Sequence, residues 1–357
     1  MDVKLKILRN KLLSQKLDGM IVSNPINVRY LTGLIEEGIL LITPKENIFL
    51  TDSRYLENVN KKLTIEDEIV TYNIKDMTQY EYENVFNGCS SVGFEEKYVT
   101  YENYKRYLQQ YRVELIETDG IVETQRVVKE DDEIECIEKA CKITDDCFDY
   151  ICNHIVEGMT EKEIAFEIEK YFVHHGADGL AFDTIVASGE NSSVPHASPT
   201  DRKIQKGDII QFDMGCKVNG YCSDFSRVIF VGEMKEEYKK IYDFVLDTHD
   251  RIALRYKDQV NIKPIIKDVE TDYKLKGYEV LHSFGHGVGL EIHEIPIQRS
   301  TVDCMLKQNS VITVEPGVYI PGKFGIRIED TYVVDKMGLN SLTKYSRDYK
   351  IVKLAKK

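Results

Sequence analysis

Five residues with metal-binding side chains are spread along the chain, each in a short motif in or beside a β-type run. They are Asp213 in QFDMG, Asp224 in YCSDFSR, His286 in GHGVGLEIHE, Glu315 in TVEPGVY and Glu329 in GIRIED. A fold that gathers four carboxylates makes them repel one another until several bind protons or cations offset them. Four carboxylates and one imidazole are too many for a single divalent ion. They suit two ions about 3.5 to 4 Å apart, sharing bridging carboxylates and an activated water, with a combined charge of about +4 to cancel. That arrangement implies hydrolysis. Each acid has an ordinary alternative: Asp213, after Ile209, Ile210, Gln211 and Phe212, as a strand-end aspartate, and Glu315, before Pro316 and Gly317, as a solvated turn residue. Five such positions would need five unrelated reasons.

Competing motifs fail on local structure. The run Gly285, His286, Gly287, Val288, Gly289 has the glycines of a dinucleotide loop, but such a loop opens a helix, and Pro296 follows seven residues after Gly289. His282 and His286 stand at i, i+4, yet Gly285 and Gly287 disfavour a helix there, and position 297 is Ile where HExxH needs His. No phosphate-binding loop and no acyl-transfer serine elbow is present.

A net charge of −13 argues against nucleic-acid or anionic-membrane partners. The N-terminus MDVKLKILRNKLLSQKL interleaves Lys and Arg with apolar residues at helical spacing, unlike a secretory signal, and no stretch reaches the length of a membrane span. A cytoplasmic enzyme is expected. Cys136, Cys141, Cys147 and Cys152, at spacings of five, six and five, share one expected helix and match neither a metal hook nor a disulfide framework. Cys216 and Cys222, flanking the Gly220 turn, read as small packing residues, although thiols near a metal invite oxidation.

The 357 residues suggest two domains, a mixed α/β unit over 1–122 and a second over 123–357. In the first, β-rich runs at 19–23, 38–43, 47–51, 68–72 and 113–116 interleave with helical patterns at 2–17, 53–60, 78–87 and 100–110. The charged cluster Lys129 to Glu135 opens a long helix to about Ile155, and Thr160 with Glu163 forms a capping box for the next. Helical patterns at 235–256 and 262–275 precede the second ligand group. Each group of ligand-bearing strands thus follows a helix pair, which suggests two similar αβ halves.

Residues 182–333 resemble the pita-bread metallopeptidase family of methionine aminopeptidase, aminopeptidase P and prolidase. The matching features are SSVPHA around His196, DMG around Asp213, the spacing of eleven to Asp224 in SDFSR, GHGVGLEIHE, VEPGVY and IRIED. NVRYLTG at 27–33 and TDSRY at 51–55 resemble the N-terminal domain of the proline-specific branch, which methionine aminopeptidases lack. The resemblance implies a two-domain α/β protein, a creatinase/prolidase-type N-terminal domain followed by a pita-bread α+β catalytic domain. It implies that Asp213 holds one ion, His286 and Glu315 the other, and that Asp224 and Glu329 bridge both. His196 and His293 would support the oxyanion and Glu315 would also act as general base, while His282, Tyr319 and Arg327 would serve substrate binding and steady the carboxylates. His154, His174, His175 and His249 read as helix-face residues. The oxygen-rich ligand set favours manganese, with cobalt, iron or zinc as alternatives. The expected activity is that of an Xaa-Pro aminopeptidase, acting on proline-containing peptides as a homodimer. An Xaa-Pro dipeptidase is the alternative, methionine aminopeptidase and a non-catalytic binding protein being further ones. Ile297 stands where many prolidases carry an arginine that can hold a dipeptide's carboxylate, with Arg299 the nearest substitute; this departure favours the aminopeptidase.

Overall fold

The computed structural model describes residues 3–354, and its contacts divide the chain into Met1–Arg126 and Val127–Lys357. The first unit contains α1 (Val3–Ser14), β1 (Gly19–Val22), α2 (Pro25–Thr32), β2 (Gly38–Ile42), β3 (Asn47–Thr51), α3 (Ser53–Lys62), β4 (Ile69–Asn73), α4 (Gln79–Asn84), β5 (Ser91–Phe94), α5 (Tyr101–Tyr111), β6 (Glu114–Glu117) and α6 (Ile121–Arg126). Its six strands form one sheet in the order β4-β3-β2-β1-β5-β6. The pairs β1/β2 and β2/β3 are antiparallel and the other three parallel. Ile21, Leu41, Leu50, Phe86, Val92, Tyr107 and Tyr111 make its core.

Local chemistry explains most ends. Helix α1 stops at Ser14, short of the expected residue 17, because Lys16 turns left-handed (φ 60°) and Leu17 N donates back to Leu12 O at 2.9 Å. Asp2, where that pattern begins, lies outside the described residues. NVRYLTG forms most of α2, which Asn24 caps through Ile26 N, with Pro25 at the first position and Gly33 left-handed at its end. In TDSRY, Asp52 caps α3. Helix α4 ends at Asn84, not 87. The sequence patterns gave no sign of α2, β5 or α6, of eight, four and six residues.

The second unit opens with α7 (Asp131–His154) and α8 (Glu161–His174), the latter started by the expected Thr160/Glu163 box. Then come β7 (Gly179–Leu180), β8 (Ile185–Ser188), β9 (Ile209–Met214), β10 (Cys216–Val218), β11 (Tyr221–Cys222) and β12 (Phe225–Val231). A second helix pair, α9 (Glu236–Arg255) and α10 (Ile262–Lys276), precedes β13 (Val311–Val314), β14 (Gly317–Ile320), β15 (Phe324–Arg327), β16 (Asp330–Val334), β17 (Leu339–Ser341) and β18 (Lys350–Val352). The sheet orders are β18-β12-β9-β8, β13-β16-β17, β11-β10-β7 and β14-β15. One apolar cluster packs Phe148, Ile164, Ile168 and Phe172 of α7 and α8 on Ile210, Phe212, Phe225 and Ile229. Another packs Tyr242, Val245, Ile266 and Val269 of α9 and α10 on Phe230, Ile312, Val314 and Ile326. Burying each of these side chains contributes about 1.5 to 3 kcal/mol, so the helix pairs hold from behind the strands that bear the expected ligands. No described helix is long and apolar enough to cross a membrane.

Candidate metal centre

Strand register explains how five separate motifs meet. Asp213 of β9 faces Ser226 of β12 across an antiparallel pair, and Ser226 in turn bridges Glu329, whose N–H donates to Ser226 O at 3.0 Å. On the other side, Val314 faces Asp330 in the β13/β16 pair, which brings Glu315 beside Glu329. The loop bearing His286 runs along β13: Thr313 N donates to His286 O at 2.8 Å and Glu315 N to Phe284 O at 3.0 Å. Asp224 lies just before β12. The glycines of GHGVG serve this close backbone approach. A Cβ on Gly285, at φ +148°, would stand 2.3 Å from Thr313 O, and one on Gly287 would stand 2.4 Å from Ile295 O.

His286 Nε2 lies 3.4 Å from Asp224 Oδ2 and 3.5 Å from Glu315 Oε1. Asp224, His286 and Glu329 each offer a ligand atom within 4.8 Å of the others. Asp213 Oδ2 sits 2.5 Å from Arg327 Nη2, and Glu315 Oε2 lies 3.5 Å from His282 Nδ1. All five expected ligands line one cavity of about 700 Å³, together with His196, His282, His293, Arg327, Ile297 and Arg299. Tyr319 is not among the residues lining it. Its hydroxyl lies behind, hydrogen-bonded to Arg327 Nη1 and, at 2.9 Å, to His282 Nε2.

The hydrogen bonds fix the tautomers. His282 Nδ1 donates to Ser283 O at 2.7 Å, so Nε2 accepts from the Tyr319 hydroxyl. His286 Nδ1 donates to Gly287 O at 3.1 Å, which leaves the Nε2 lone pair facing the acids. Burial, reinforced by the neighbouring His293, pulls the His286 pKa down to about 4, so the imidazole is neutral and free to ligate. Burial lowers His282 as well, to about 3. The acids go the other way. Burial and then Glu329 raise Asp224 and Glu315 well above the carboxylate range, and burial and then Asp213 push Glu329 up to about 8.

These residues fit divalent cations. Asp213 Oδ1 and Glu329 Oε1 are shut away from solvent with no hydrogen-bond partner, a costly condition that a bound cation would relieve. Of the four crowded carboxylates, Asp213 pairs with the Arg327 guanidinium. A pH dependence follows for metal-free protein. Glu329 titrates higher folded than unfolded, so its contribution to stability is fully present below its ordinary value of 4.5 and is lost as pH rises through about 8. The melting temperature of chelated protein is therefore expected to fall by on the order of 5 °C or more between pH 5 and 8.5, and manganese should restore it. Calorimetry of chelated protein showing a flat or rising melting temperature over that interval would contradict the assignment.

The structure also brings in residues that the sequence patterns did not single out. Arg227 donates to the Glu329 carbonyl at 2.6 Å and to Asp330 Oδ1 at 2.6 Å. His249 is fully buried, with Nε2 at 3.3 Å from Asp330 Oδ2. Burial alone would raise Asp330, but Arg227 and His249 outweigh it and hold that carboxyl well below its usual range. Lys129, the first residue of the charged cluster before α7, is buried, and its ammonium reaches Oε2 of Glu294, the residue after His293, at 3.0 Å. The one signal for Arg227 was a charge inside the otherwise uncharged run FSRVIFV, which demands a buried partner. The described cysteines are free thiols, and Cys216 and Cys222 are buried, as a packing role requires.

Comparison with known proteins gives two family matches: Metallopeptidase family M24 over residues 135–336, and the Creatinase/Prolidase N-terminal domain over residues 4–128. The chain is 33% identical to an Xaa-Pro dipeptidase of Pyrococcus furiosus, covering 93% of this chain and 95% of that protein. Among solved structures, an Xaa-Pro dipeptidase from Bacillus anthracis superposes with a TM-score of 0.92 at 34% identity, covering 98% of this chain and 99% of the other. An X-Pro aminopeptidase from Thermotoga maritima superposes with a TM-score of 0.86 at 32% identity, covering 98% and 100%.

Proposed function

The chain belongs to metallopeptidase family M24, and on that premise we propose that it removes the N-terminal residue from peptides whose second residue is proline. The observation that carries this reading is the convergence of Asp213, Asp224, His286, Glu315 and Glu329 with three further histidines on one cavity. The match to a Creatinase/Prolidase N-terminal domain supports the proline-specific branch over methionine aminopeptidase. A bond preceding proline has no amide N–H and carries a rigid ring, so enzymes that grip that hydrogen are poorly matched to it. We take 1–122 and 123–357 as the two domains, manganese as the working ion and a homodimer as the assembly.

Two divalent ions held by the five ligands would polarise the scissile carbonyl and make the attacking water more acidic. The protein's own groups do the rest. Glu315 lines the cavity and takes the proton from that water. His293 and His196 donate hydrogen bonds to the carbonyl oxygen as it gains charge. Glu315 then returns the proton to the proline nitrogen, which has none of its own. Tyr319 and His282 brace Arg327, which in turn orients Asp213.

Substrate length turns on two residues lining the cavity. Ile297 presents an apolar surface and asks for no free carboxylate, so tripeptides Xaa-Pro-Yaa are expected to be cleaved with kcat/KM at least equal to that for Xaa-Pro dipeptides. Ile297→Arg should shift preference toward dipeptides by about tenfold, the worth of a charged hydrogen bond of about 1.5 kcal/mol. Arg299 favours the second reading, an Xaa-Pro dipeptidase, because its exposed guanidinium lines the same cavity with no ion pair among the described residues. Steady-state kinetics on matched dipeptides, tripeptides and a Met-Ala peptide decide between them. Strict dipeptide specificity that Arg299→Ala relaxes would replace the aminopeptidase reading with the dipeptidase.

A further inference from the structure

We propose that Arg227 is a positioning residue for the metal centre: from behind, it locks the strand following Asp224 to the residue that carries Glu329. The inference rests on the reading that these acids hold two ions. Arg227 stands three residues after Asp224 in β12, whose seven residues are all buried. Its guanidinium is 2% exposed and saturated. Nη1 donates to Ser226 O at 2.9 Å and Glu329 O at 2.6 Å, Nη2 to Asp330 Oδ1 at 2.6 Å and Tyr345 O at 3.1 Å, and Nε to Ser346 O at 3.3 Å. Five N–H donors thus meet five acceptors. Asp330 is held in turn by Thr343 Oγ1 at 2.7 Å, Arg347 Nη1 at 3.1 Å and His249 Nε2 at 3.3 Å.

Stability does not by itself account for this arrangement. A buried ion pair is commonly replaceable by apolar side chains of similar volume with little loss, or even a gain, in stability. A guanidinium supplies what an apolar pair lacks, a rigid fork that fixes a backbone carbonyl in direction as well as distance. The carbonyl it fixes belongs to Glu329 itself. Asp224 stands two residues before Ser226 and Glu329 pairs with Ser226, so the strands bearing the two acids need a tie that does not give. Arg227 is that tie. It touches neither substrate nor ion and acts through the placement of the two acids proposed to bridge.

The test separates placement from folding. Arg227→Met combined with Asp330→Leu removes both charges of the pair together, and Arg227→Lys keeps the charge but lacks the fork. Each full-length protein is stripped with a chelator and titrated with manganese, measuring bound ion by equilibrium dialysis, ion–ion coupling by electron paramagnetic resonance, and folding by melting temperature. The double variant is expected to melt below the parent, since four backbone carbonyls lose their donor, yet to fold and to bind one ion normally. Its second ion should bind at least tenfold more weakly, with loss of the spectrum of a coupled pair. Arg227→Lys should fall between the two. Parent-like affinity for both ions and a parent-like coupled spectrum in the folded double variant overturn the proposal; should that variant fail to fold, the same result in Arg227→Lys overturns it. A parent protein that takes up fewer than two ions sinks the two-ion reading itself, and the proposal with it, a failure visible before any variant is measured.

Discussion

Glu329→Gln is expected to lower kcat on Xaa-Pro peptides by at least about 1,000-fold, the equivalent of several kcal/mol of lost charge stabilisation, and to reduce the manganese content. The substitution keeps size and shape, so the effect isolates the charge. Glu329 sits 1% exposed between the β12 and β13/β16 sides of the centre, with Oε1 sealed and unpartnered. An amide there offers a weaker neutral ligand and places N–H groups where cations are needed. Asp224→Asn should behave alike, since Asp224 crowds against the same neighbours and shares the His286 contact. Activity should vanish on chelation and return with manganese in the parent protein but not in either variant. Full activity with unchanged metal content in either variant would remove the basis of the two-ion mechanism.

Taking away a pocket histidine should leave the ions in place and slow the chemistry. His293→Ala and His196→Ala are expected to retain metal while losing roughly 10 to 1,000-fold in kcat, the range for one oxyanion donor or one partner behind the ligands. The His293 ring lies 4.5 Å from that of His286, nearly perpendicular to it, and both His293 and His196 line the cavity. Burial holds the His293 pKa below its usual value, so the ring stays neutral at pH 7, with a single N–H to donate. Metal analysis after purification is the check. Loss of both ions from either variant would show that its histidine belongs to the ligand set.

What the sequence revealed and what it concealed divide along the reach of the interactions involved. Helix starts depend on neighbours three residues away, so Thr160 with Glu163 was legible as a box. The convergence of the five expected ligands on one cavity was legible because each stands in its own motif and their summed charge makes sense only if they meet. Which strands would bring them together was not legible, since the facing of Asp213 to Ser226 and of Val314 to Asp330 is decided by pairing across many residues of chain. The same distance concealed the pairs Arg227–Asp330, 103 residues apart, and Lys129–Glu294, 165 apart. His249 read as an ordinary helix residue because its partner lies on a strand formed far later in the chain.

The register that joins Ser226 to Glu329 also sets a timetable. On the ribosome, Asp213 and Asp224 emerge more than a hundred residues before Glu329, and until β16 is made they are acids without their partners. A site built from these acids cannot exist until β16 has paired with β13 and met β12, so metal capture there would follow that pairing. Ions bound there would act as ligands of the finished state alone and draw the folding equilibrium further toward it as their free concentration rises. Recovery of folded protein from denaturant would thereby depend on the divalent-ion supply while β16 takes its place.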